Sequence, residues 1–497
     1  MNSARIVARR IADGVKNHCY AGRISVADHR ITLIEPGDFA PEPGDIAVSA
    51  DKILAPGFID AHGHSDLSLL AMPEAEGKTR QGIVYEIAGN CGLSPFPLTE
   101  LNRAHLQELY KQYQTALTWN SFAEYQQQLS RCAPALKLFS LVGHNTLRAA
   151  AAGYEKQALS ASEISTMCDL LDRELMAGAI GLSLGLLYTP GCFADKAEIV
   201  ALMQVLARHN KICTVHLKSE STRLEEALRD TLSAAQSAGL QKLHLSHLKT
   251  AGEANFHKIN AIIEALESTD LQVTGDVYCY TASMTQLSVI LPAPFDNYDD
   301  VKNMQLLQNH DIFRELLTQV RKERSSDYWQ KVQLISSAPP FDKFCGRFFS
   351  KIARQQQIEP EELFLQLLRN DATGTTAAFH TLSEANMLRL IAHPSVVPGS
   401  DESARNICSG PFGQSHPRGF GNHARYFKLR QSQGADPAQI IREMSAQTAE
   451  IFDLPDVGAI KPTYEAVFNI LDPEQYCDHA SYEMPHIPTA GVETLKL

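Results

Sequence analysis

Residues 53–66 read ILAPGFIDAHGHSD. An apolar run closes on an acid, and histidines follow at positions 62 and 64. The i, i+2 spacing puts both imidazoles on one face of an extended chain. A buried strand that carries its polar groups at the C-terminal tip is what a parallel barrel needs, because the reactive end of such a barrel lies there. Taken alone, the pair also reads as two ordinary loop histidines, so the rest of the chain has to decide.

The pattern recurs. Short apolar runs lie at 82–88 (GIVYEIA), 136–142 (LKLFSLV), 179–184 (AIGLSL), 212–216 (ICTVH), 242–247 (KLHLSH), 271–278 (LQVTGDVY) and 395–401 (SVVPGSD). With 53–60 they make eight strands, separated by amphipathic helical stretches such as 162–178, 196–210, 221–239 and 257–268. Ser162 is the expected cap of one helix. Gly178, Asn210 and Gly239 stand where helices should end in a left-handed residue. Eight strand–helix units predict an α/β chain with a closed (β/α)8, TIM-like barrel over residues 53–452, an open doubly wound sheet being the alternative.

Residues 281–371 separate the seventh and eighth strands and hold helical runs of their own, which predicts an inserted subdomain acting as a lid or as surface decoration. Strand-like runs at 1–52 and 453–497, including RISVADHRITLI, YEAVFNIL and GVETLKL, predict a small β-sandwich built from both ends of the chain.

The chain has 497 residues, 44% hydrophobic and 21% charged, which fits an ordinary globular protein able to bury a large core. Its formal net charge of -12 argues against a nucleic-acid or anionic-membrane partner. The ten cysteines are scattered singly, which reads as a reducing cytoplasm, and neither a signal peptide nor a long apolar span is expected.

Three further strand tips carry groups that bind metals or move protons. His216 closes the fifth strand, His247 the sixth and Asp401 the eighth, while His244 points to the other face. Neutral imidazoles crowded together leave lone pairs to satisfy, and a shared divalent metal satisfies them. Asp401 can bind metal, take a proton from water and return it to a leaving nitrogen, or it can cap a helix. Cys91, in EIAGNCGLSP between Gly89 and Gly92, is either a thiolate ligand or a small buried thiol. The chain has neither a phosphate-binding P-loop nor a G-x-S-x-G elbow; GLSLG at 181–185 offers Ser183 without the framing of a nucleophile turn.

In order, GFIDAHGHSD, GNCGLSP, VGHNTLR, GLSLGLLYTPG, TVHLKSE, SHLK, GDVYCYTAS, GSDE and HPRGFGNHAR resemble the D-aminoacylase (N-acyl-D-amino-acid deacylase) branch of the amidohydrolase superfamily, over residues 50–472. The resemblance implies a metallo-dependent hydrolase barrel with Zn2+ as cofactor. Cys91, His216 and His247 would form the tight site, and His62, His64 and Asp401 a weaker second position. Asp401 would be general base and acid. Lys249, Tyr188, Tyr278 or Tyr280, Ser283 and Arg425 would hold the substrate, a small N-acyl-D-amino acid. Departures are Cys279 for a proline, Lys218 for an arginine, Glu86 in a strand where relatives are usually apolar or carry threonine, and Thr463 and Val467 in the tail. They bear on the substrate more than on the reaction. Rival readings are a cyclic-amide (dihydroorotase- or hydantoinase-like) hydrolase, an inactive binding scaffold, and a redox protein built on Cys91.

Overall fold

The computed structural model describes residues 3–155, 158–268, 271–408 and 414–497. Eight parallel strands close on themselves. They are Phe58–Asp60, Ile83–Ala88, Lys137–Ser140 continued by Val142–Gly143, Gly181–Gly185, Ile212–His216, Lys242–Leu245, Gln272–Val277 and Val396–Pro398. The first three, as far as Ser140, pair as one set, and Val142–Gly143 with the remaining five as another. The ring is completed by Ile180 N–H donating to Ser140 O (3.0 Å) and Ala61 N–H donating to Pro398 O (3.2 Å), with a parallel bridge between Gly63 and Glu402. These strands are almost wholly buried, as expected for a sheet with helices outside and packed side chains inside.

Helix ends follow local chemistry. The helix Ala161–Met176 is capped by Ser160, not Ser162: the Ser160 hydroxyl accepts from Glu163 N–H and the Glu163 carboxylate answers the Ser160 N–H. Asp195 caps Lys196–His209, which ends on Asn210 at φ 51°, and Leu224–Ala238 ends on Gly239 at φ 69°.

The run 53–60 is two strands. Ile53–Pro56 pairs antiparallel with Val467–Leu471 in the terminal layer, and only Phe58–Asp60 enters the barrel. Gly57 marks the break, since a side chain there would collide with Val84. The terminal layer is one hydrogen-bonded sheet of seven strands, drawn from both ends of the chain. Its two parts are joined by the pairing of Ile11 with Leu54, and Ile6, Ile24, Ile31, Leu54 and Phe468 share its core.

The insertion has a three-stranded antiparallel sheet, Ser283–Gln286, Thr376–Phe379 and Val332–Ser336, with helices including His310–Glu323 and Pro360–Asp371. It therefore runs on past residue 371. Its separate core centres on Trp329, stacked on Phe349 and donating to Glu361 at 2.8 Å. No helix among the described residues is long and apolar enough to cross a membrane.

Candidate active site

Three non-glycine residues at barrel strand tips have left-handed backbones: Cys91 (φ 53°), His247 (φ 36°) and Asp401 (φ 52°). Such conformations cost energy and persist where surrounding contacts fix them. Here those contacts are visible. Ser183, from the fourth strand, accepts from Gly92 N–H at 3.0 Å and donates to Gly89 O at 2.5 Å, bracketing Cys91. Gly185 lies so close to the Cys91 carbonyl that a methyl group would collide with it. Asp276 Oδ1 accepts the N–H of His247 at 3.0 Å, and Asp401 N–H donates to His62 O at 2.7 Å.

The side chains converge. Cys91 Sγ is 3.4 Å from both His62 Nε2 and His247 Nε2, and His247 Nε2 is 2.8 Å from His216 Nδ1. Cys91, His216 and His247 form one set, and His62, His64, Cys91 and Asp401 another, each with donor atoms within 4.8 Å of one another. Carboxylates behind the ring orient the imidazoles. Asp276 Oδ2 is 3.1 Å from His62 Nδ1, and Glu220 Oε1 is 3.0 Å from His247 Nδ1. An imidazole that donates Nδ1–H to a carboxylate presents the Nε2 lone pair to the centre, which is how metal-binding histidines are supported.

Electrostatics fits a cation. Burial favours a neutral Cys91 thiol, yet the charges of His62 and His247 and hydrogen bonds from His216 and His247 hold it well below the usual thiol range. Burial also raises the Asp401 carboxyl, but Arg418 above all, then His247 and the His64 hydrogen bond, keep it well below the carboxylate range. Glu220 is drawn down to about 2, against its burial, by Lys249 first and then His247 and His216. His64 is pushed up to about 10: burial opposes this, and the Asp401 hydrogen bond and Cys91 outweigh it. A soft thiolate with nitrogen donors suits a divalent transition metal, which competes with protons for the same atoms.

Of the six residues expected to bind substrate, three line the centre. Tyr188 packs its ring 4.9 Å from that of His216 and reaches Thr285 with its hydroxyl (3.1 Å). Lys249 Nζ bonds Glu220 (2.6 Å) and lies 5.7 Å from the Tyr278 ring centre. The Tyr278 hydroxyl is buried with no hydrogen-bond partner among the described residues. The others sit differently. Tyr280 donates to Asp478 (3.3 Å), the same carboxylate that pairs with Arg425 at 3.3 Å, and Arg425 covers the Tyr280 ring. Ser283 is in the insertion's strand, on the same face as Thr285 by alternation, and it is Thr285 that meets Tyr188.

The cation at Asp401 is Arg418. It is wholly buried, 2.8 Å from Asp401 Oδ2, with its guanidinium 4.7 Å from the Tyr278 ring centre. Asp276, Glu220 and Thr285 likewise escape a sequence reading. Signals exist for two of the missed residues: Asp276 is an acid inside the buried strand Gln272–Val277 and must have partners, and Arg418 lies in HPRGFGNHAR with the favoured Arg425.

The barrel and its ring of sulfur, nitrogen and carboxylate donors define a metal-dependent amidohydrolase. The amidohydrolase family model matches residues 50–276. The chain is 28% identical to the N-acyl-D-glutamate deacylase of Alcaligenes xylosoxydans xylosoxydans, over 97% of this chain and 90% of that one. It is 26% identical to the D-aminoacylase of the same organism, over 98% and 91%. The structure of the Bordetella bronchiseptica N-acyl-D-glutamate deacylase, complexed with zinc and a phosphonate that mimics the tetrahedral intermediate, is similar with a TM-score of 0.81 at 27% identity, covering 99% of this chain and 94% of that one. A Brevibacillus agri dihydropyrimidinase shares the fold at 12% identity and a TM-score of 0.53, over 99% and 92%. Over nearly its whole length the chain is thus similar to N-acyl-D-amino-acid deacylases, with the amidohydrolase family model matching its first half.

Proposed function

We propose that this protein is a zinc enzyme that hydrolyses the amide bond of N-acyl-D-amino acids, releasing a carboxylate and the free D-amino acid. The observation that carries the reading is the convergence of Cys91, His216 and His247 beside Asp401, in a chain whose similar relatives are N-acyl-D-amino-acid deacylases. Cys91, His216 and His247 would hold the principal ion, with His62, His64 and Asp401 lining the adjacent position. When bound, zinc polarises the amide carbonyl and makes water a nucleophile near neutral pH.

The chain's own groups do the rest. Asp401 Oδ2 is engaged by Arg418, so Oδ1, facing His64 at 3.1 Å, is the oxygen that accepts the proton of the attacking water. The same oxygen returns it to the departing nitrogen, which must leave as an amine. The unpartnered Tyr278 hydroxyl is the available donor to the carbonyl oxygen as it gains charge. The buried Arg418 and the partly buried Lys249 are the cations able to hold the substrate carboxylate, and Arg418 has the planar fork that suits one. Tyr188 and Thr285 close the site from the side of the insertion, which acts here as a lid. The single, unpaired cysteines support a reducing cytoplasm as its compartment.

A turnover screen tests the reading. N-acetyl, N-formyl and N-succinyl forms of the D-amino acids, their L counterparts, and ring amides such as hydantoins are the substrates. Cleavage of at least one D form with little of the L forms is expected. Equal turnover of both hands, or cleavage of ring amides alone, contradicts it.

A further inference from the structure

Beneath the metal-binding histidines lies a second set of charges. Lys78 is wholly buried, and its Nζ contacts Asp60 Oδ2 (2.5 Å), Ser400 Oγ (2.7 Å) and Glu86 Oε2 (3.1 Å). Asp60, Glu86 and Ser400 are buried as completely. Each anion has further bonds. Asp60 Oδ1 accepts the N–H of Ser400 at 2.8 Å and of His62 at 3.2 Å. Glu86 accepts both from Ser65, the N–H at 3.0 Å and the hydroxyl at 2.8 Å. Ser400 Oγ also lies 3.4 Å from His62 O.

The residues held are 62, 65 and 400, which flank or include His62, His64 and Asp401. Glu86 is seated directly against Gly63, the link between the two histidines, where any side chain would overlap its carboxyl group. The cluster thus ties the tip of the first strand to the tip of the eighth through the second strand, which carries Glu86, and the segment after the first, which carries Lys78. Stability alone does not call for such a device. Buried charges cost desolvation, and apolar residues of similar volume fill such a space at least as well. What charges add is direction: each oxygen is committed to named backbone or side-chain donors.

We propose that Lys78, Asp60 and Glu86 form a buried lock whose role is to position His62, His64 and Asp401 for the reaction. They are positioning residues, and none touches the substrate. The proposal rests on the hydrolase reading above, and its test keeps the two separable.

The test compares wild type with Glu86→Gln and Ser400→Ala. Glu86→Gln keeps shape but removes a charge. Ser400→Ala removes one acceptor of Lys78 without altering charge, and it carries the test if Glu86→Gln does not fold. Three quantities are measured: Tm of chelator-stripped protein, the rise in Tm on adding zinc, and kcat with KM. In both variants kcat is expected to fall about tenfold or more with KM within about threefold, and the zinc-induced rise to shrink. A lower Tm of stripped protein with an undiminished zinc-induced rise and wild-type kcat would mean a structural role only and overturns the proposal, as do variants matching wild type in all three. If wild type cleaves no N-acyl-D-amino acid, the hydrolase reading fails, and the zinc-induced rise still judges the lock.

Discussion

A guanidinium nitrogen of Arg418 stands 2.8 Å from Oδ2 of Asp401, while Oδ1 of the same carboxylate faces His64 at 3.1 Å. The two oxygens therefore have different neighbours: one is held by a permanent cation and the other is turned toward His64. The arrangement keeps Asp401 ionised although it is buried.

Asp401→Asn keeps the shape and removes the proton acceptor. The expected result is a loss of kcat of about 10²- to 10⁴-fold with the fold intact, checked by steady-state kinetics and circular dichroism.

Arg418→Met leaves the Asp401 carboxylate buried without its cation. Breaking a buried pair in this way costs about 3–5 kcal/mol, measured by denaturant unfolding. Arg418→Lys should regain much of that stability. It should still raise KM for an N-acyl-D-amino acid, because an ammonium lacks the planar fork that grips a carboxylate.

How the sequence encodes these features differs from residue to residue. His62, His64, His216, His247 and Asp401 are legible because each follows an apolar run, so the strand that buries the run also aims the polar tip. Cys91 is less legible: its thiol alone is ambiguous, and only the structure brings it beside His216 and His247. Arg418 was not legible, because it opens the helix Arg418–Ser432 and reaches Asp401 from outside the strand pattern. Glu220 lies in a loop and Asp276 within a strand, and each acts through a partner distant in the chain, His247 for the first and His62 for the second. The eight strands were counted correctly, but the division at Gly57 was hidden, since Ile53–Pro56 and Phe58–Asp60 are equally apolar and only tertiary pairing separates them. Ser160 displaced Ser162 as a helix cap because the reciprocal bond with Glu163 requires that spacing.

Gly185→Ala probes the seat of Cys91. A methyl group there meets the Cys91 carbonyl, so the turn must shift. A loss of about 1–3 kcal/mol is expected from overpacking, together with lower zinc content by elemental analysis. Retention of full zinc would show that the turn yields without moving the thiolate.

Removing metal should lower stability as well as activity. Ligand that binds the folded state at 100 times its Kd contributes about 2.7 kcal/mol, so exhaustive chelation should reduce Tm measurably and abolish turnover. Zinc added back should restore both.

The insertion has its own core around Trp329, one of two tryptophans in the chain. Trp329→Ala should cost about 3–5 kcal/mol, read from chemical denaturation. With Trp119→Phe as background, Trp329 fluorescence reports unfolding of the insertion alone.

The central claim is that Cys91 binds the active-site ion together with His216 and His247. X-ray absorption at the zinc edge of purified protein tests it most directly. The account predicts one sulfur neighbour at about 2.3 Å alongside nitrogen neighbours at about 2.0–2.1 Å, with the sulfur signal lost in Cys91→Ala. A zinc ion surrounded by nitrogen and oxygen alone in the wild type would contradict it.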